Sequence, residues 1–441
     1  MFAHHGRTPD LEYRQGPDID LLQGWTGRGR EPLRRLAELV DAGRSLFAEA
    51  FADGARPLPG APAFQHLFAG LLMLADWLGS ADEVERFPFT ESGDPPRADF
   101  VRDRAPQVLA AIGLIPPAPP LPLPPFAEQF PDFSPRAAQR AMDSLPLPPE
   151  RGSVVLLESE TGSGKTEAAL RWASRLIDVG KVDGCFFAVP LRSAAVQLHR
   201  RMQTWLDATY GEGRAEALLA VPGYYRMGEA EGRKLPDFTV QWSDAETEDR
   251  RSRRWAAEQP KRYAAASFAV GTIDQALLGA LAVRHAHLRA ACLVRHLLVI
   301  DEVHSSDVYM TTLTERLLTL FRAADGNVLL MSATVGAGTR ERLVAQARTP
   351  TAFANAVAVG YPRITASHAA VKSGATSPIR SAIEAASFAQ NAAPRTLLPG
   401  EAVQVEISSL APPTFQDDGV AAGGLFQLFP CRAGFARMRS S

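Results

Sequence analysis

The chain has 441 residues, 46% of them hydrophobic, with 47 basic and 49 acidic side chains and a net charge of −2. That length allows two or three domains with a sizeable core, and the near-neutral balance excludes a uniformly basic coat while leaving room for a local groove along a phosphate backbone. Cys185, Cys292 and Cys431 form no CxxC pair, which excludes a zinc ribbon or a disulfide framework and points to a reducing compartment. No signal-peptide pattern opens the chain, and the apolar run Leu67 to Ala75 is too short to span a bilayer. The expected location is the cytoplasm, with no membrane partner.

In chain order, residues 1–111 carry helical periodicity, as in Leu33, Leu36, Leu39 and Val40 and then Phe64 to Leu78. Residues 112–127 hold the run Pro116 to Pro125, whose proline density predicts a semi-rigid linker between folded units. Residues 128–364 alternate short apolar strands with amphipathic helices. The strands are Val154–Leu157, Cys185–Val189, Phe268–Val270, Leu297–Ile300 and Val328–Met331. This predicts an α/β fold, a parallel sheet flanked by helices on both faces. Residues 365–441, rich in Ala, Ser and Gly, read as an irregular tail with one strand-like run, Val403–Ile407. The charged run Asp249 to Arg254 reads as a solvated helix face.

Two motifs carry the chemistry. Ser159-Glu160-Thr161-Gly162-Ser163-Gly164-Lys165-Thr166 follows the first strand and opens a helix. That context suits a loop whose backbone N–H groups and helix N-terminus face phosphates, with Lys165 as a point charge and Thr166 as a Mg²⁺ ligand. Thr161, Gly162, Ser163 and Gly164 line the same cradle. Asp301-Glu302-Val303-His304 closes the fourth predicted strand. Asp301 is expected to hold Mg²⁺, and Glu302 to orient and activate the water that attacks the γ-phosphate of ATP. Upstream, Gln139 in Phe133-Ser134-Pro135-Arg136-Ala137-Ala138-Gln139 stands where an amide can bond the N6/N7 edge of adenine.

Three further motifs follow strands. Ser332-Ala333-Thr334 after the fifth strand is expected, with His304, to couple nucleotide state to the rest of the motor, and its place after the acidic box identifies a superfamily-two helicase. Pro190 and Arg192 follow the second strand, and Gly271, Thr272 and Asp274 follow the third. These positions suit contact with the sugar-phosphate backbone of single-stranded DNA without readout of sequence.

The text from Phe268 through Gln275 to Leu278, then Arg284-His285, Leu288-Arg289 and Leu298 to His304 with Asp307 and Tyr309-Met310, resembles the CRISPR-associated helicase–nuclease of type I systems. The resemblance covers about residues 1–365. It implies a RecA-like motor that moves along single-stranded DNA and degrades a target exposed by an RNA-guided CRISPR surveillance complex. It also implies an HD-type nuclease ahead of the motor. His4-His5 looks like that nuclease's paired-histidine motif and Asp76 like its last acidic motif, a donor set that suits a divalent transition metal.

Two departures temper the expectation. The HD pair that names such a nuclease lies upstream of the paired histidines, and only three residues precede His4, so weak or absent nuclease activity is expected. A second RecA-like domain would need more than the 76 residues after Thr365 (441 − 365), and no QxxGRxxR run occurs there. The competing readings are a slow or inactive ATP- and DNA-binding module, and an unrelated DExH helicase acting on RNA or in repair.

Overall fold

The computed structural model describes residues 31–54, 61–80, 87–88, 96–148, 152–236, 239–244, 252–303, 308–345, 361–369 and 404–410. Helices α1 (Glu31–Leu46), α2 (Pro62–Gly79), α3 (Arg97–Ala111) and α4 (Ala137–Ser144) precede strand β1 (Ser153–Glu158). Then come α5 (Lys165–Asp178), β2 (Gly184–Val189), α6 (Arg192–Tyr210), β3 (Leu218–Ala220), β4 (Arg226–Met227), β5 (Ala230–Lys234) and β6 (Val240–Trp242). The remainder is β7 (Phe268–Thr272), α7 (Ile273–Leu277), α8 (Ala286–Leu293), β8 (His296–Ile300), α9 (Val308–Ala323), β9 (Asn327–Ser332), β10 (Arg363–Ala369) and β11 (Gln404–Leu410).

The strands form one sheet in the order β11-β10-β1-β9-β8-β2-β7-β3-β4-β5-β6. Its centre, β1-β9-β8-β2-β7, is parallel throughout. The side-chain period of two explains why both faces are buried. Val154, Leu156, Phe186, Leu298, Ile300, Val328 and Leu330 enter one core. Val155, Leu157, Phe187, Leu297, Val299, Leu329 and Met331 enter the other, under α4, α5 and α6. All five strands expected from sequence are present. Cys185 and Cys292 are fully buried, and burial pushes the Cys292 thiol up to about 11 and the Cys185 thiol higher still, so both are inert core residues.

Three expectations need correction. The boundary at 364/365 falls inside β10, which pairs antiparallel with β1, and β11 extends the sheet in parallel beyond it. The tail therefore contributes strands to the sheet edge. The charged run is not all solvated: Arg254 is 1% exposed, both arms of its guanidinium bond Asp244 at 2.6 Å, and it lies 4.7 Å over the Trp242 ring. The ion pair and the ring together offset the cost of burying that charge.

The third correction concerns the linker. Ser267 Oγ donates to the Gly113 carbonyl at 2.9 Å, Arg295 Nη2 to Leu114 O at 2.6 Å, and Arg171 Nη1 to Pro124 O at 2.7 Å. The proline segment is thus strapped along the α/β unit at both ends, not a free spacer. Helix α2 packs directly on the α/β unit. Pro62 starts it without losing a needed N–H. Leu67, Gly70, Leu74 and Leu78 then recur at three- and four-residue spacing on one stripe. That stripe lies against α8, and its leucines join the core beneath the parallel sheet. No described helix is long and apolar enough to cross a membrane.

The α2–α8 contact holds a close histidine pair, His66 and His287, with ring centroids 4.3 Å apart, the rings tilted at 34°, and His66 Nε2 3.3 Å from Gly279 O. Burial, with the neighbouring His287, pushes the His66 imidazole from its ordinary 6.5 down to about 4. The folded form therefore binds fewer protons than the unfolded chain between those values. Its stability contribution is complete above about pH 6.5 and is lost as pH falls toward 4. Thermal unfolding followed from pH 7 to 4 should show this decline, and His66→Phe should make it shallower, with the remaining buried histidines His199, His287 and His296 still contributing.

Candidate functional site

The phosphate loop, the acidic box, the Ser332-Ala333-Thr334 turn and the two backbone-gripping motifs each lie at or just beyond the carboxyl end of a strand in the parallel centre. Leu157 on β1 is level with Met331 on β9, Ile300 on β8 with Leu330, and Val189 on β2 with Thr272 on β7. The phosphate loop, the acidic box, the Ser332 turn and the loops after β2 and β7 therefore share one rim. This is where ligands bind in open α/β sheets.

The phosphate loop has the backbone its glycines permit. Gly162 and Gly164 hold φ of 79° and 86°, a left-handed region costly for other residues. Lys165, 8% exposed, starts α5 and donates its Nζ to the carbonyls of Ser159 at 2.8 Å and Glu160 at 3.0 Å. Its charge is thereby held at the mouth of the loop. Ser163 Oγ is buried in the cradle without a hydrogen-bond partner. An orphaned hydroxyl beside a lysine and a helix N-terminus is the donor set a phosphate group satisfies.

Gln139 sits against this loop, 2% exposed. Its Nε2 donates to Gly164 O at 3.0 Å and its Oε1 accepts from the Arg136 N–H at 2.8 Å, while Arg136 Nη1 reaches Gly162 O. The amide expected to read adenine is thus engaged at both ends, its Nε2 on the phosphate loop and its Oε1 on the start of its own helix. Arg136 was missed by the sequence reading, although it lies within the motif that holds Gln139. Glu167, in the first turn of α5, is buried and ion-paired with Arg201 of α6, a second contact without a local signature.

Asp301 N–H donates to Ala188 O at 2.9 Å and its Oδ1 accepts from the Glu302 N–H at 2.9 Å. Glu302 holds φ of 55°, an uncommon conformation for a residue with a side chain. That turn swings the chain away from the strand at the acid expected to position water. Ser332 is fully buried, its Oγ donates to Thr334 O at 2.9 Å, and its carbonyl accepts from the Ser159 N–H at 3.1 Å. The coupling turn thus touches the phosphate loop directly.

The backbone-gripping set is mixed. Pro190 is half-buried and Arg192 exposed at the start of α6, and Asp274 is exposed on α7. Gly271 and Thr272 are instead buried within β7. A Cβ on Gly271 would stand 2.7 Å from Ala220 O, so close strand packing explains that glycine. Thr161 and Thr166 belong to the loop and to the first turn of α5. His304, His4 and His5 lie outside the described residues. Asp76 is half-buried on α2, and among the described residues no group of three His, Cys, Asp or Glu could hold a metal.

This fold and this loop define a nucleotide-binding domain of the DEAD/DEAH box helicase class, whose family model matches residues 136–343. A second model, the Cas3 HD domain, matches residues 1–84. The chain is 31% identical over 306 residues to the CRISPR-associated endonuclease/helicase Cas3 of Escherichia coli, covering 64% of this chain and 32% of that protein. It is 30% identical over 361 residues to the Cas3 of Thermus thermophilus, covering 78% and 36%. The crystal structure of T. fusca Cas3-ATP superposes with a TM-score of 0.57 at 27% identity, over 78% of this chain and 37% of that one. The chain belongs to the Cas3 family of CRISPR helicase–nucleases, and it spans about a third of the length of the curated relatives it matches.

Proposed function

We propose that this chain supplies the first RecA-like motor domain, residues 128–364 together with the rest of β10, of an ATP-dependent DNA helicase–nuclease in cytoplasmic CRISPR defence, with residues 1–111 derived from its HD nuclease. The observation that carries the reading is the phosphate loop bonded to the Ser332 turn, one strand away from the acidic box. ATP would lie on the backbone of Thr161 to Gly164 with Lys165 against its phosphates. Thr166 and Asp301 would hold Mg²⁺, which when bound neutralises charge on the phosphates. Glu302 orients the attacking water. Single-stranded DNA would cross the rim at Pro190, Arg192 and Asp274, handed over by an RNA-guided surveillance complex. His4, His5 and Asp76 are the proposed remnant of a divalent-metal site.

The test is ATP binding and hydrolysis by these 441 residues with and without single-stranded DNA. Binding with turnover at background in both is the expected result, because an arginine supplied from another domain contributes about 10³–10⁵ in such enzymes. Turnover stimulated by DNA would overturn the slow-module part of the reading. Failure to bind ATP would overturn all of it.

A further inference from the structure

Glu158 ends β1 immediately before the phosphate loop, and it is only 3% exposed. A two-pronged contact grips it: Arg340 Nε donates to Oε2 at 2.6 Å and Nη2 to Oε1 at 2.7 Å. Arg340 closes the helical turn Ala337–Arg340, downstream of Ser332-Ala333-Thr334, and its Nη2 also donates to Val335 O at 3.1 Å. The carboxylate's hydrogen bonds hold the guanidinium's pKa above its ordinary value. On the other flank, the Tyr361 hydroxyl donates to Ala333 O at 3.0 Å, and Arg363 on β10 stands opposite Glu158 in register. The turn after β9 is therefore tied to the phosphate loop by the Ser332–Ser159 backbone bond and by the Glu158–Arg340 fork.

A buried ion pair adds little stability over apolar residues of the same volume, but it fixes the relative orientation of the segments that carry it. Here those segments are the strand that aims the phosphate loop and the turn expected to carry nucleotide state outward. We propose that Glu158 and Arg340 form a positioning pair that transmits occupancy of the phosphate loop to residues 333–340. This rests on the nucleotide-binding reading above. Neither residue touches the nucleotide in this scheme; each acts through the geometry of its neighbours.

Amide hydrogen exchange of residues 333–340, with and without Mg²⁺ and a non-hydrolysable ATP analogue, tests the pair. In the unaltered chain the analogue should slow exchange there by about fivefold or more, the low end of usual coupling between sites. The double variant Glu158→Gln with Arg340→Met removes both charges, so neither is left buried alone. It should still bind the analogue yet lose that protection. Arg340→Lys keeps the charge without the fork and should lose most of it. A double variant that binds the analogue and retains the protection overturns the pair. An unaltered chain that binds without protection overturns the coupling while leaving the nucleotide site intact. One that does not bind at all overturns the nucleotide reading and the pair with it.

Discussion

Lys165→Ala is expected to lower affinity for ATP by about 10-fold or more, the scale of losing one hydrogen bond to a charged group, about 1.5–3 kcal/mol. The expectation follows from where the ammonium is held. It is 8% exposed and anchored on Ser159 O and Glu160 O. Phosphate would therefore meet a charge already stripped of most of its water and already in place. Alanine keeps the helix, being the best helix former, so the fold should be spared. Titration of a fluorescent ATP analogue beside a thermal melt measures both. An unchanged affinity would mean that the loop does not bind the phosphates, and a collapsed melt would make Lys165 structural.

Gly70→Ala is expected to destabilise the chain by about 3 kcal/mol, at the upper end for overpacking a core. A Cβ there would stand 2.1 Å from His287 O, 2.5 Å from His287 C and 2.7 Å from Ala291 Cβ. Two of those atoms are backbone and cannot swing aside. Helix α2 must then lift from α8, which also parts the His66–His287 rings. Denaturant unfolding gives the number directly. A loss below about 0.5 kcal/mol, the scale of an ordinary surface change, would show that α2 does not pack as closely as described.

The parallel centre of the sheet was legible because strands buried on both faces read as continuous apolar runs, each ended by a motif. The phosphate loop was legible for the same reason: its chemistry is local. Strand β5, Ala230-Glu231-Gly232-Arg233-Lys234, was missed because it is short, charged and largely exposed. Strand β10 was lost to a boundary drawn on composition, although Arg363–His368 pairs along all of β1. Contacts between distant residues left no local trace. Glu158 and Arg340 lie 182 positions apart, and Arg295 is 181 from the carbonyl it holds. The burial of Arg254 depends on Asp244 and on the Trp242 ring, so its own charged neighbours misrepresent it.

The strapped proline segment has a consequence for how this polypeptide is divided in the laboratory. Its composition invites a cut near residue 120, with the downstream part made by itself. That part would keep α8 but lose the Leu67, Met73, Leu74 and Leu78 side chains that share its core. Arg295 would keep Asp183 but lose the Leu114 carbonyl. The fragment would leave an apolar surface open to water and a buried cation short of an acceptor, conditions that favour aggregation. The smallest sound unit therefore begins before Pro62, inside the region that sequence assigns to a different enzyme activity.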